Sequence, residues 1–322
     1  MPESLVNHPD RIRLAMLGMV EGNGHPFSWS AIVNGRYDAA RMAECGYPVI
    51  SEYLAAQPPG ALGIDGVEVT HVWCDDPHDA RRVAGATHIT AVVDRPTDVI
   101  GHVDAVIIPT DVGGEHVERA RPFIDAGLPV FVDKPMVDSL DGLATFDRWR
   151  REGAKVLSTS CMRYADEFRG LRERIGNVGD PRLITGTMGK SWERYGIHAL
   201  EAVYGLLPPG GWQSVRHSGD AERNLVHLRH ATGCEVVLAV IQDLYGGFGC
   251  VDVYGTTGRE AATFRDSFTA FRRQLVAFVD FLRTGVSPVP WEETVEQMKI
   301  IIGALRSREA GGPRIDLKEL TP

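Results

Sequence analysis

The feature that most constrains this fold is the alternation of short apolar runs with helical segments through the first half of the chain. Continuous apolar strands that are separated by helices form a parallel sheet covered on both faces. The sequence therefore predicts an α/β fold with a doubly wound parallel sheet, which binds ligands at the carboxyl ends of its strands. The predicted strands span residues 12–18, 67–74, 88–93, 103–109, 128–132 and 155–160.

The second half of the chain has a different pattern, typical of an antiparallel sheet. Two long helices follow it, at 267–284 and 292–310, and their apolar residues at spacings of 3 and 4 are assigned to the core. A chain of 322 residues suits two domains, which we expect at 1–162 and 163–322. The predicted antiparallel strands span residues 182–189, 214–218, 224–229, 235–242 and 249–254.

Residues 36–66 interrupt the rhythm of the first half. Gly24 and Asp75 are 51 positions apart, where a compact βαβ unit needs only about 20 to 30. We interpret the segment as an insertion in the first crossover. Either it is a surface excursion without function, or it shapes or covers the active site.

Charge and composition exclude several classes of protein. The net charge of −9 argues against a nucleic-acid partner. No secretory signal is recognisable, and no apolar run reaches the roughly 18 residues that cross a bilayer. The five cysteines form no CxxC pair, which is typical of reduced thiols in a cytoplasmic protein. We expect no metal site, because His227 and His230 would point to opposite faces of a strand.

A glycine-containing loop follows the first predicted strand. Gly18, Gly22 and Gly24 fit the GxGxxG pattern imperfectly, so the loop is either a pyrophosphate cradle at a helix N-terminus or a plain strand-to-helix turn. Asp75 ends the second strand, where a carboxylate accepts the ribose hydroxyls of the cofactor and repels a 2′-phosphate. NAD is therefore favoured over NADP. The neighbouring Asp76 precedes Pro77, so a helix N-cap is the other interpretation of this acidic pair.

Two further residues have the chemistry of a catalyst. Lys134 follows a buried strand, where an ammonium can stabilise a developing alkoxide, although a lysine that merely leaves the core would look the same. His198 lies on a predicted helix that begins near Gly196, and Glu201 is expected beside it on the same face. A histidine with a neighbouring carboxylate is a natural general base, but it could equally be an ordinary helix-face histidine.

Together these residues resemble the Gfo/Idh/MocA family, which includes glucose-fructose oxidoreductase and inositol dehydrogenase. The most specific matches are the block from Asp104 to Thr110, His116, and Asp133-Lys134-Pro135, which corresponds to the family's EKP motif with aspartate in the glutamate position. The segment from Gly196 to Glu201 is similar to the family's GxHxxD helix. The resemblance covers nearly the whole chain.

The resemblance implies a Rossmann domain followed by an α/β domain with a large, open, mostly antiparallel sheet that forms homodimers or homotetramers. It implies a catalytic role for Lys134 and His198, and it places Arg163 and Tyr164 at the substrate cleft. Thr110 and His116, with Lys134, would belong to the cofactor side. The implied activity is the NAD(P)-dependent oxidation of a secondary alcohol, or reduction of the ketone, on a sugar, sugar derivative or cyclitol.

The chain also departs from the family's pattern, since Arg194, with Glu193 beside it, stands where the family has an aspartate. An arginine there would disfavour the protonated forms of Lys134 and His198 and could bind an anionic substrate. Two alternatives to a simple dehydrogenase stay open. One is an enzyme that retains NAD and uses transient oxidation for glycoside cleavage or epimerisation, and the other is a non-catalytic Rossmann sensor.

Overall fold

The computed structural model describes residues 3–321, and its first sheet confirms the doubly wound prediction. Six parallel strands lie in the order β3-β2-β1-β4-β5-β6. The order reverses beside β1, so the crevice between the carboxyl ends of β1 and β4 is the ligand-binding point of such a sheet. The strands are β1 Ile12–Leu17, β2 Val67–Trp73, β3 Ala91–Val92, β4 Ala105–Ile108, β5 Val130–Val132 and β6 Val156–Leu157.

Helices cover both faces of this sheet, as its continuously buried strands require. The 36–66 insertion contributes two of them, and α2 is capped by the side chain of Asp38, which accepts from the Arg41 N–H. The helices of this half are α1 His25–Asn34, α2 Ala39–Ala43, α3 Pro48–Ala55, α4 Pro77–Thr87, α5 His116–Asp125 and α6 Leu140–Arg151.

The second sheet has seven strands in the order β12-β11-β7-β10-β9-β8-β13. Only β10 and β7 pair in parallel, so the sheet is mostly antiparallel, as predicted. Two edge strands, β12 and β13, were not predicted from the sequence. The strands are β7 Pro181–Gly189, β8 Trp212–Gly219, β9 Arg223–His230, β10 Glu235–Ile241, β11 Cys250–Gly255, β12 Arg259–Thr263 and β13 Ile315–Asp316.

One face of the second sheet packs on helices, and the other is open. Along β9, exposed and buried side chains alternate strictly, and Leu225 on the open face is 44% exposed. His227 is exposed and His230 buried, on opposite faces. The helices are α7 Asp166–Arg174, α8 Trp192–Tyr204, α9 Ser267–Thr284 and α10 Trp291–Glu309.

Helix α9 leaves the second sheet and packs on the first. The rings of Phe278 in α9 and Phe131 in β5 are 5.4 Å apart. Most of the apolar stripe of this helix is buried, which confirms its assignment to the core, but Phe271 in the same stripe is half-buried and lines a cavity instead. Among the described residues, no helix is both long and apolar enough to span a membrane. The division at 162/163 remains a prediction.

Candidate active site

Lys134 follows β5 directly and is buried, with only 2% of its surface exposed. It is therefore not a side chain that leaves the core for solvent. Its Nζ lies 3.3 Å from Asp111 Oδ2 and 3.8 Å from Asp133 Oδ2. Burial alone would lower the pKa of Lys134, but the two carboxylates outweigh that effect and raise the pKa above its ordinary value. The side chain is an ammonium ion at physiological pH.

Asp111, at the end of β4, also binds an arginine from the second half of the chain. Its Oδ1 accepts from Arg194 at 2.5 Å, and Arg194 donates as well to the backbone oxygen of Glu21 at 3.1 Å. Burial would raise the pKa of Asp111, but the charges of Lys134 and Arg194 hold it well below its usual range. The expectation that Arg194 disfavours a charged Lys134 is wrong, because Arg194 faces the carboxylate that both cations share.

Sequence reasoning missed Asp111, although a signal was available. The residue follows Thr110 at the carboxyl end of a predicted strand, where the side chains of a doubly wound sheet meet ligands.

His198 lies on α8, which begins at Trp192 rather than near Gly196. Its Nδ1 is 2.6 Å from Ser160 Oγ, and its ring centroid is 5.1 Å from that of Tyr195. Burial first, and then the charge of Lys134, lowers the pKa of His198 well below its usual value, so the ring is neutral. This outcome agrees with the expectation for His198, although the cause is not Arg194.

The expected pair of His198 with Glu201 is wrong. Glu201 instead accepts from Arg163 Nε at 2.6 Å, and Arg163 also donates to Glu293 at 3.0 Å. Glu193, in the first turn of α8, binds Arg308. The structure thus does not bring Arg163, Tyr164 or Glu193 to the cavity that His198 lines.

The glycine loop has the backbone that its composition indicates. Gly18 has a φ of +110°, and a Cβ at this position would lie 2.9 Å from the Thr110 side chain. Thr110 is itself buried, with its Oγ1 3.1 Å from His116 Nε2. Thr110 therefore packs against the glycine loop, and His116 holds Thr110 in place. The buried Asn23 donates to the Pro109 backbone oxygen at 2.9 Å, which ties the loop to the end of β4.

His25, the first residue of α1, is a site residue that sequence reasoning missed. Its Nδ1 lies 2.8 Å from Asp133 Oδ2, and its ring stacks on Trp29 at 4.3 Å. Asp133 therefore contacts both His25 and the Lys134 ammonium. The only available signal was the position of His25 at a helix N-terminus immediately after the glycine loop.

Asp75 and Asp76 separate into two roles. Asp76 is the N-cap of α4 and accepts from the His78 N–H at 2.7 Å. Asp75 is 45% exposed in its side chain and accepts from Arg119 at 2.9 Å. Beside this pair lies an apolar slot of about 230 Å³, whose lining includes Leu17, Trp73, Ile108 and Phe123.

A larger cavity of about 430 Å³ lies between the glycine loop and α8. Gly22, Asn23 and His25 line one side of it, and Tyr195 and His198 line another. The insertion contributes four side chains to its wall. A Cβ on Gly24 would lie within 3 Å of both Tyr47 and Ile50, so the insertion packs directly on the glycine loop. The insertion thus shapes the cavity and is not merely a surface excursion. Its lining residues are Tyr47, Val49, Ile50 and Tyr53.

These residues fit a nicotinamide dinucleotide. Within the described chain, Arg194 Nε is buried without a hydrogen-bond partner, and its guanidinium nitrogens lie within 4 Å of a Cβ position on Gly22. A phosphate oxygen at the glycine loop would satisfy this orphaned donor. The apolar slot suits a flat base, and the exposed carboxylate of Asp75 beside it suits ribose hydroxyls.

Comparison with known family models also indicates an NAD-binding Rossmann fold. Residues 45–159 match the family model GFO_IDH_MocA, described as an oxidoreductase family with an NAD-binding Rossmann fold. No curated protein matches the chain.

Among solved structures, the chain is similar to myo-inositol 2-dehydrogenase from Lactobacillus plantarum, with 16% identity and a TM-score of 0.73 over 95% of this chain and 99% of that one. It is also similar to scyllo-inositol dehydrogenase from Lactobacillus casei with bound NAD(H) and scyllo-inositol, with 13% identity and a TM-score of 0.73 over 96% and 99%. At these identities the likeness shows the fold alone.

Proposed function

We propose that the chain is a member of the Gfo/Idh/MocA family of oxidoreductases, whose model matches residues 45–159, and that it is an NAD-dependent dehydrogenase of a sugar, sugar derivative or cyclitol. The reaction is the oxidation of a secondary alcohol or the reduction of the corresponding ketone. One observation carries the proposal. A neutral histidine that lines the cavity and a charged lysine both lie close to the Tyr195 ring, whose centroid is 5.1 Å from that of the His198 ring and 5.2 Å from Lys134 Nζ.

His198 is the proposed general base. When its Nδ1–H donates to Ser160 Oγ, its Nε2 keeps a lone pair for the proton of the substrate hydroxyl. A lowered pKa keeps the ring in this neutral form.

Lys134 is the proposed stabiliser of the negative charge that develops on the substrate oxygen. Contact with that oxygen requires the ammonium to turn from Asp111. The turn leaves no carboxylate unpaired, because Asp111 keeps Arg194 and Asp133 keeps His25.

Several residues would hold the dinucleotide. Gly18 and Gly22 would admit its pyrophosphate, Arg194 would bind a phosphate oxygen, and Asp75 would accept the ribose hydroxyls of NAD and repel the 2′-phosphate of NADP. Thr110 and His116 would support the loop beneath it. Bound NAD would supply the acceptor for the hydride that leaves the carbinol carbon.

An anionic substrate remains a hypothesis, but Arg194 is not the residue that would bind it. Arg194 is engaged by Asp111, whereas Lys190 and Arg265 line the cavity. Among the described residues that line it there is no carboxylate. A carboxylate or phosphate on the substrate would therefore meet positive charge without repulsion.

A homodimer or homotetramer is proposed through the open face of the second sheet, where Leu225 is exposed. The five cysteines are free thiols, which suits the proposed cytoplasmic location.

The test is a screen of sugars, uronic acids and cyclitols with NAD and with NADP, following the absorbance of the reduced cofactor. We expect NADH to accumulate with at least one compound and NAD to bind in a calorimeter. Failure to bind any dinucleotide would contradict the proposal and favour a sensor. Retention of bound nicotinamide, with no accumulation of NADH, would favour transient oxidation.

A further inference from the structure

The cavity beside His198 has two walls of aromatic rings. We infer that the substrate carries a flat apolar ring next to the reacting carbinol, and that this ring lies between the two walls. The inference rests on the proposed function and narrows its substrate class from sugars and cyclitols in general to those with an aromatic or similarly flat apolar substituent.

The first wall begins at the proposed base. The ring of Tyr195 lies 5.1 Å from that of His198 and 6.2 Å from that of Phe248, and Phe248 in turn lies 6.3 Å from Phe264. Phe248 comes from the loop between β10 and β11, and Phe264 follows β12. The second half of the chain therefore supplies a continuous aromatic surface that leads away from the reacting position.

The second wall lies against the glycine loop and the insertion. The ring of Phe271 in α9 lies 5.1 Å from that of His25 and 6.4 Å from that of Tyr53. Val49 and Ile50 of the insertion extend this wall with aliphatic surface. Both walls line one cavity of about 430 Å³, within the range of about 300–1,000 Å³ for pockets that enclose ligands of drug size.

Apart from His25 Nε2, the polar side-chain atoms of the rings in these two walls already have partners. Tyr53 shares its hydroxyl with Ser28, and the Tyr195 hydroxyl accepts from Lys190 at 2.6 Å. His25 Nδ1 is bound to Asp133.

A cyclitol with a hydroxyl on every carbon would lose water in this part of the cavity and find few partners in return. A flat apolar ring would lose nothing and could stack on the walls. His25 Nε2, His198 and Lys190 remain for the polar part of the substrate.

The test is calorimetry with the full-length protein in the presence of NAD, using four probes. They are phenyl β-D-glucopyranoside, methyl β-D-glucopyranoside, 1-phenylethanol and myo-inositol. We expect the phenyl glucoside to bind about tenfold or more tightly than the methyl glucoside, and 1-phenylethanol to bind more tightly than myo-inositol.

Two variants locate the effect. Phe248→Ala removes a ring of the first wall that is 39% exposed, and it should abolish most of the preference for the phenyl probes. Tyr245→Ala removes a ring of the same loop that is 97% exposed and outside the cavity lining, and it should leave the preference unchanged.

Tighter or equal binding of the probes that lack an aromatic ring, or no binding of either phenyl probe, would overturn the inference. An equal loss of the preference for the phenyl probes in both variants would also overturn the inference, because the phenyl ring would then not contact Phe248 in the first wall. Binding of NAD in the same cell separates the two proposals, since intact NAD binding without a preference for the phenyl probes contradicts only this inference.

Discussion

Lys134 and Arg194 bind opposite oxygens of one buried carboxylate. Lys134 Nζ lies 3.3 Å from Asp111 Oδ2, and Arg194 lies 2.5 Å from Asp111 Oδ1. Arg194 stands four residues before His198 on α8, so both side chains are on the same face of that helix. The carboxylate thus joins the end of β4, the proposed catalytic lysine and the helix that carries the proposed base.

Replacement of Lys134 by methionine should lower kcat about 100-fold or more, because the charge that stabilises the substrate oxygen is lost. The dissociation constant for NAD, measured by calorimetry, should stay nearly the same. Asp111 and Asp133 keep Arg194 and His25 as partners, so the variant should fold. Lys318→Met, an exposed substitution on the C-terminal segment, is the control. Unchanged turnover in Lys134→Met would contradict the proposed catalytic role of Lys134.

Replacement of Arg194 by glutamine should weaken NAD binding about tenfold, because the orphaned Nε and its charge at the glycine loop are removed. Calorimetry with NAD measures this directly and does not depend on turnover. Arg308→Gln, which breaks the pair with Glu193 at the rim of the same helix, should leave the affinity for NAD unchanged. If instead Arg194→Gln raised KM for the substrate and spared NAD, Arg194 would be a substrate residue.

Lowering the pH below about 6.5 should destabilise the protein, because the folded-state pKa of His198 is depressed. The unfolded chain binds a proton near that pH and the folded chain does not, so the stability is present above it and is lost as the pH falls. The loss approaches about 1.4 kcal/mol per pH unit for one histidine. Urea unfolding at pH 7.5, 6.5 and 5.5 measures it.

The variant His198→Gln should reduce this slope, part of which remains because burial also lowers the pKa of His116, whereas the exposed His78→Asn should leave it unchanged. Over the range from pH 8 to pH 6.5, kcat/KM should not fall, because the base stays neutral. A decline of activity centred near pH 6.5 would contradict the lowered pKa of His198.

Much of the fold could be predicted because its strands carry local signals. All six strands of the first sheet and five of the second coincide with apolar or alternating runs. The missed strands, β12 and β13, lie at the edges of the second sheet. β12 reads Arg-Glu-Ala-Ala-Thr, and β13 has two residues. Neither buries enough apolar surface to leave a pattern in the sequence.

The electrostatic partners in the site could not be predicted in the same way. Helical spacing placed Glu201 beside His198, but Arg163, 38 positions earlier in the chain, binds that carboxylate. The pair of Asp111 with Arg194 joins residues that are 83 positions apart. Such pairs depend on how the two sheets pack together, and this packing cannot be predicted from local sequence patterns.

Replacement of Asp75 by serine should shift the cofactor preference from NAD toward NADP. The carboxylate that would repel a 2′-phosphate is removed, and Arg119, which it binds at 2.9 Å and which keeps Glu115 as its other partner, gains an N–H that can pair with that phosphate. We expect the dissociation constant for NADP to fall about tenfold and that for NAD to rise, both measured by calorimetry. Arg119→Gln in the same background should reverse the gain for NADP. Asp76→Ser preserves the N-cap of α4 and should leave both affinities unchanged, so an equal shift in that variant would place the cofactor elsewhere.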